Sequence, residues 1–438
     1  MADSSLSNDV RFPSDTDVLV DTSLVIPEAL QTPTKAVGVG FQSLFFLANV
    51  AIWLAKFPFQ QIVLPVQILA FDPAHKATDL ALIAAIGSTF GLLANPIAGA
   101  LSDRTTGRWG RRRPWLIGSV ILSVALLVLL AYAPNLAMLI LGWTLYQILV
   151  NSVLAALLAI IPDQVPGRQR ALVSSFTGLS IPLGLVLGSI LVTRVLGSRV
   201  LPSYYTIGAI FLVIILLLAL VIPDKRLEKE VMPPLNLGKF LASFWISPVK
   251  YPDFAWAWIT RFFAIMASSA VTFYLLYYLQ DVLGYTTKAA TQGVANFNYI
   301  YVAVLLISSI GGGFLSDKVQ RRKIFVMSGG ILIALGMLLL AFIHTWSGTV
   351  VAALLYGLGF GAYLAVDIAL ITEVLPSASD RGKDLGVINI ANTLPQVLVP
   401  IVAALTINAF HNYTVLFVIV AIAALLSGLL IQPIKGTH

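Results

Sequence analysis

The sequence predicts an all-α membrane protein, with twelve transmembrane helices arranged as two six-helix bundles. Three observations carry this. Charged residues make up 11% of the 438 residues, about half the share in an ordinary globular protein, and the mean hydropathy is +0.91. So few charges could not cover the surface of a soluble fold of this size. Apolar runs recur along the chain, each able to cross a roughly 30 Å hydrocarbon layer, which takes about 20 residues as helix. They are unbroken, which fits helices and excludes a barrel, whose strands alternate apolar and polar residues. Finally, the chain repeats itself about its middle. "GALSD" (99–103) and "GFLSD" (313–317) each end an apolar run, and each leads into a basic loop, "RTTGRWGRRRPW" and "KVQRRK".

Residues 1–35 are polar, with six acids and two bases, and read as a disordered cytoplasmic tail rather than a signal peptide. The N-terminal bundle, 36–222, holds expected spans at 40–66, 79–101, 114–133, 136–161, 170–193 and 204–222. A polar cytoplasmic linker, 223–253, carries "PDKRLEKE" and two prolines. The C-terminal bundle, 254–432, holds spans at 254–279, 291–315, 324–343, 348–374, 384–408 and 413–432, and 433–438 is a cytoplasmic tail. Pro182 in "SIPLG" and Pro395 in "TLPQ" fall in the fifth and eleventh spans, a second match between the halves.

Charge orients the chain. Of 27 Lys and Arg, 21 fall in the tails and the loops on the N-terminal side. Only Lys76, Arg194, Arg199 and Lys288 occupy the opposite loops, while Lys56 and Arg261 lie within spans. Positive loops stay inside, so both termini are expected in the cytoplasm, with the protein in the cell membrane. The net charge of +7 is thus an orienting device, and no nucleic-acid partner is expected. Cysteine is absent, and His75, His344, His411 and His438 fall in loops or the tail, so no metal site and no cofactor is expected.

The run "NPIAGALSDRTTGRWGRRRPW" (95–115) resembles the loop signature of the major facilitator superfamily. It is most similar to the glycoside–cation symporters and sucrose-transporter-like proteins, with their pattern D-P-x-x-G-x-x-x-D-R-x-x-S-R-W/F-G-x-x-R-P. The likeness covers the layout of all twelve spans, but only the region from the second span to the third is specific to that group. Sodium-coupled members carry two aspartates where this chain has Gly91 and Asn95. The resemblance therefore gives no support to sodium at that site, and in this respect the chain is more similar to proton-coupled sucrose carriers.

It also implies gating contacts. Asp103 would face the start of the eleventh helix, and Gly313 and Asp317 the start of the fifth, closing the cytoplasmic side when the outside is open. Gly99 would let a helix approach closely. Arg104 and Arg113 would hold Asp103 and lipid phosphate, and Arg322 sits in the matching basic loop.

Charge within a membrane span costs at least about 2.5–3.5 kcal/mol at the helix centre, so each such residue needs a partner or a wet cavity. Lys56, Arg261 and Asp367 are the three, on the first, seventh and tenth spans. In the superfamily the first, fourth, seventh and tenth helices line the cavity. Arg261 and Asp367 each lie seven residues from the cytoplasmic ends of their spans, which predicts an ion pair. Burial favours the neutral form of a carboxylate and a neighbouring cation the ionised form, so such a pair suits proton coupling. Lys56 is the third member of the coupling set, with snorkelling toward the outer interface as its other reading.

Polar stripes mark the substrate site. Trp53 and Gln60 flank Lys56, Thr144, Gln147 and Asn151 share one helix face, and Tyr356, Tyr363 and Asp367 share another. Asn389 and Asn392 add amides on the eleventh span. Aromatic faces and amides suit sugars. The expectation is proton-coupled, alternating-access symport of a sugar or glycoside, by a monomer whose partners are its small-molecule substrate, protons and the bilayer. A carrier or exporter of another small polar or amphipathic solute is the alternative. An intramembrane enzyme would need a catalytic constellation, and the spans hold no HExxH motif, no cysteine and no histidine.

Overall fold

The computed structural model describes residues 33–225, 227, 248–319, 321–374 and 381–434, without the side chains of 317, 368–374 and 381–386. The expected tails and most of the linker lie outside the described residues. Within them the chain is helical. Twelve helices follow one another: α1 (Val39–Phe71), α2 (Lys76–Asp103), α3 (Arg113–Ala131), α4 (Leu136–Gln164), α5 (Gly167–Val195), α6 (Val200–Val221), α7 (Pro252–Asp281), α8 (Thr287–Val319), α9 (Arg322–Phe342), α10 (Trp346–Val374), α11 (Arg381–Phe410) and α12 (Thr414–Leu429). Eleven are long and apolar enough to cross a bilayer; α12, at 16 residues, is apolar but spans only about 24 Å.

Proline shapes the first helix. α1 runs as α-helix over Val39–Leu54, passes through a π-turn at Phe59–Val63, and resumes as α-helix over Leu64–Phe71. Pro58 and Pro65 have no N–H to return to Leu54 and Gln61, so the regular ladder breaks at both. The chain widens, and the Leu64 N–H reaches back five residues to the Phe59 carbonyl. A continuous span ending near 66 was expected; the helix instead carries on to Phe71.

The sequence repeat is also a repeat in space. In the first half α1 packs on α5 and α6, α2 on α4, and α3 on α4 and α6. In the second half α7 packs on α11 and α12, α8 on α10, and α9 on α10 and α12. Adding six to each number of the first set gives the second. Across the halves α2 lies along α11 and α5 along α8, which the same shift interchanges. Small residues permit the tightest of these contacts. A Cβ on Gly330 would stand 2.6 Å from the Ala424 carbonyl and 2.9 Å from the Gly428 Cα, so the backbones of α9 and α12 touch.

Hydrogen bonds between the halves gather at one end. Lys76 Nζ lies 2.5 Å from Asp281 Oδ1. Asn408 donates to Thr78 at 2.9 Å, and Ser198 and Thr291 pair at 2.8 Å. Deeper in, Asn298 donates to Gln61 at 2.7 Å and to Ser189 at 2.9 Å, and Tyr277 donates to the Pro65 carbonyl at 2.9 Å. All of these belong to the half of the bundle that carries the loops after α1, α5, α7 and α11, called the closed end below.

Candidate functional site

In the C-terminal bundle three helices converge on one carboxylate. Asp367 on α10 is 2% exposed, and its Oδ2 accepts from Arg261 Nη1 on α7. Its other oxygen accepts from Tyr363, one turn earlier on the same helix, at 2.7 Å. Arg261 Nε donates to Asn392 Oδ1 on α11 at 2.6 Å. The guanidinium is thus engaged on two edges, a geometry that its planar fork allows and an ammonium does not. The expected ion pair is formed, and Asn392 belongs to it. Asn389, one turn before Asn392, is half-buried. Tyr356 stands apart from the carboxylate: its ring stacks on Tyr301 of α8 with centroids 4.5 Å apart.

Lys56 does not join this pair. It sits on α1 in the other half, 8% exposed, with its ammonium 5.5 Å from the centre of the Trp53 ring. Nor does it snorkel. Fifteen residues separate it from Phe71, roughly 22 Å of helix, far beyond the reach of a lysine stem. α1 meets α4 and α6 through Ala55 and Phe59: Tyr146 donates to the Ala55 carbonyl at 2.5 Å, and the Phe59 and Tyr204 rings stack at 4.8 Å. It meets α5 where Gly184 and Gly188 admit Trp53, Leu54 and Pro58. Asn49, Trp53, Lys56 and Gln60 occupy the stripe between these contacts. Asn49 Oδ1 and Gln60 Nε2 are buried with no hydrogen-bond partner.

The stripe on α4 turns out differently from expectation. Gln147 and Asn151 lie against α2, where Gly87 and Gly91 leave room. A Cβ at Gly91 would meet Asn151 Nδ2 at 2.8 Å, and one at Gly87 would meet Gln147 Cγ at 3.4 Å. Asn151 donates back to the Gln147 carbonyl at 2.7 Å, and Thr144 to Ile140 at 2.7 Å. These side chains therefore help to pack α2 on α4, although Gln147 Oε1 is buried without a partner.

The arginine-rich loop is a closed network, with partners other than those expected. Asp103 pairs with Arg112 rather than with Arg113. Arg112 also holds Asp163 at the end of α4 at 2.8 Å and Ser102 at 2.5 Å, and Arg111 reaches Asp163 at 3.0 Å. Burial works against the charge of Arg112, but Asp163 and Asp103 outweigh it and hold its pKa above the ordinary guanidinium value. Arg113 instead donates to the Ile222 carbonyl at 2.5 Å, beyond the end of α6. Asp224 caps α3, accepting from the N–H groups of Arg112 and Arg113 at 2.6 and 2.8 Å. Gly110 is the glycine that this demands. It has φ +90°, and a Cβ there would fall 2.3 Å from the Asp224 carboxyl carbon.

No close approach occurs at Gly99 or Gly313, where a Cβ would find nothing within 4 Å. Both lie at the end opposite the closed one. Arg104 follows α2 and Arg322 opens α9. The side chain of Asp317 lies outside the described residues. At the closed end a cavity of about 240 Å³ is lined by Tyr278, Asp281, His344, His411 and Tyr413, remote from Asp367.

Comparison with known proteins agrees with this architecture. The family model described as Major Facilitator Superfamily matches residues 44–311 and 297–435. Among curated proteins, the general alpha-glucoside permease of Schizosaccharomyces pombe is 33% identical over 121 residues, 24% of this chain and 22% of that protein. The probable 4-methylmuconolactone transporter of Cupriavidus pinatubonensis is 34% identical over 114 residues, 25% of this chain and 26% of that protein. The chain thus spans about a quarter of the length of these two relatives. A crystal structure of a bacterial homolog to the human lysosomal transporter Spinster, inward-facing and occupied, superposes with a TM-score of 0.67 at 15% identity, over 91% of this chain and 96% of that one. That likeness shows the fold. With the family model covering both halves, the chain belongs to the major facilitator superfamily of multi-pass membrane proteins.

Proposed function

We propose that the protein is a secondary active carrier that moves a small polar solute together with a proton by alternating access, with sugars and glycosides as the first substrate class to test. The observation that carries this is the buried Arg261–Asp367 pair, with Tyr363 and Asn392 closing around it. A carboxylate that keeps its cation stays ionised, and one that loses it in a dry site takes a proton. Rearrangement of α7 against α10 would therefore tie protonation of Asp367 to the state of the cleft. Unpartnered Gln60 Nε2 and Gln147 Oε1, together with the face of Trp53, support a polar solute. Thr144, Asn151, Tyr356, Tyr363 and Asn389 complete the proposed binding set, Tyr356 and Asn151 from behind.

On the positive-inside reading both termini are cytoplasmic, and the closed end faces outward in the cell membrane. The structure then corresponds to a state open to the cytoplasm. Residues 36–222 and 254–432 are the two moving units on this reading, joined by 223–253. Asp103, Gly99 and Arg112 in one, and Gly313, Asp317 and Arg322 in the other, would meet α11 and α5 only when the cytoplasmic end shuts. The alpha-glucoside permease favours a sugar, and the 4-methylmuconolactone transporter favours the alternative of another small polar solute.

The test is uptake into liposomes containing the purified protein, with labelled disaccharides and an imposed pH or sodium gradient. A pH gradient should drive accumulation and a sodium gradient should not. Accumulation driven by sodium alone, or equal without any gradient, overturns proton coupling.

A further inference from the structure

The charges in the middle of the helices do not cancel. Away from helix ends, three ionisable side chains lie within the spans: Lys56, Arg261 and Asp367. Arg261 and Asp367 neutralise each other. Lys56 is left over, halfway along α1 and 8% exposed. Among the described residues no carboxylate lies within ion-pair distance of it. A bare ammonium in that position is costly, and it is too deep to reach the headgroups. The Trp53 ring attracts the charge but cannot satisfy three N–H donors. The surrounding stripe offers acceptors and donors of the same orphaned kind, Asn49 Oδ1 and Gln60 Nε2. An amine held among unpaired polar groups, beside an aromatic face, is built to receive an anion that arrives from elsewhere.

We propose that the transported solute carries a carboxylate and that Lys56 binds it, with Trp53 and Gln60 against the rest of the molecule. The substrate class is then a small hydroxylated acid, such as a sugar acid or an acidic glycoside. This rests on the reading of the protein as a proton-coupled carrier whose cleft α1 lines, and it deepens that reading. It has a consequence for charge movement. One carboxylate travelling with one proton on Asp367 transfers no net charge, whereas a neutral sugar with one proton transfers a positive charge in each cycle.

Both features are testable with the full chain in liposomes. Matched pairs of labelled solutes separate acid from neutral: gluconate and glucitol, galacturonate and galactose, phenyl glucuronide and phenyl glucoside. Uptake should be confined to acid members. It should follow an imposed pH gradient and ignore a membrane potential set with potassium and valinomycin. Lys56→Gln should slow acid uptake about 10- to 100-fold, the loss expected for one charge-assisted hydrogen bond, and Lys56→Arg should retain more. The potential measurement uses the wild-type protein, so it decides the matter even if the variants fold poorly. Uptake of neutral members with a response to potential overturns the proposal while leaving proton coupling intact. Acid uptake unchanged in Lys56→Gln, or no acid carried, also overturns it. A pH gradient that drives none of the six solutes defeats both readings.

Discussion

The two halves share one helix arrangement and differ in what they place inside it. In the second half Arg261, Asp367, Tyr363 and Asn392 form a neutral cluster, each charge answered by a neighbour. In the first, Lys56 has an aromatic face and unpaired amides around it, and its charge is unanswered. A duplicated scaffold needs only one set of packing rules to be stable. Once that is met, the residues on the inner stripes are free to diverge. On the proposed function, proton handling falls to the second half and recognition of the solute's charge to the first.

The strongest challenge to that division is Asp367→Asn. It should abolish accumulation driven by a pH gradient, lowering it by at least about 100-fold, the scale of removing a group on which the coupling step depends. Exchange of labelled for unlabelled solute across the same membranes needs no net proton movement and should persist. Loss of exchange as well would mean that Asp367 serves binding or folding, and the division between the halves would fail. Exchange should instead be the activity that Lys56→Gln damages.

The basic loop of the first half bears on stability. Arg112 joins Asp103, Asp163 and Ser102, and is buried. Arg112→Ala removes the cation that joins Asp103 to Asp163 and leaves Asp163 with Arg111 alone, a loss of about 1–3 kcal/mol. The unfolding temperature in detergent should fall by several degrees. Arg113→Ala should cost less, since it removes hydrogen bonds to helix-end carbonyls rather than an ion pair. If both variants melt alike, the network is not a unit.

Glycine contacts separate packing within a half from contact across the open end. Gly330→Ala forces a methyl onto the backbone of α12, at 2.6 Å from a carbonyl oxygen, and should cost about 1–3 kcal/mol of stability. Gly99→Ala meets nothing and should be neutral or slightly stabilising in this state. If Gly99 serves closure of the cytoplasmic end, the same variant should still slow transport. Unchanged transport would remove Gly99 from the gate.

Much of this was legible in the chain. Helix number and the repeat follow from hydropathy, because lipid leaves the backbone no other option. The Arg261–Asp367 pair was readable from depth alone, since two opposite charges at one level in a dry bundle find each other. Three things were not. The choice of Arg112 over Arg113 for Asp103 depends on where α3 begins, and consecutive residues at a helix start point in very different directions. The turn of Gln147 and Asn151 toward α2 depends on gaps at Gly87 and Gly91, which periodicity on α4 alone cannot reveal. Asp224 caps a helix more than a hundred residues before it, a contact that only tertiary structure creates.

The smallest effect tests the closed end itself. Lys76 and Asp281 form an ion pair across the halves, with their side chains 15% and 37% exposed. An exposed pair of this kind contributes about 0.2–1 kcal/mol, so Lys76→Met should raise the population open at that end by about 1.5- to 5-fold. The absence of cysteine makes the measurement clean. Spin labels on single cysteines at Leu196 and Thr286 would report the distance between the halves directly. Asp281→Asn should act alike, because the Tyr413 hydroxyl that Asp281 accepts from at 2.7 Å belongs to the same half and both substitutions break the same ion pair. The double variant should therefore open the end no further than Asp281→Asn alone. Additive opening by the two would show that Lys76 acts through other contacts, such as the Tyr277 ring 5.1 Å away, and that the ion pair does not latch this end.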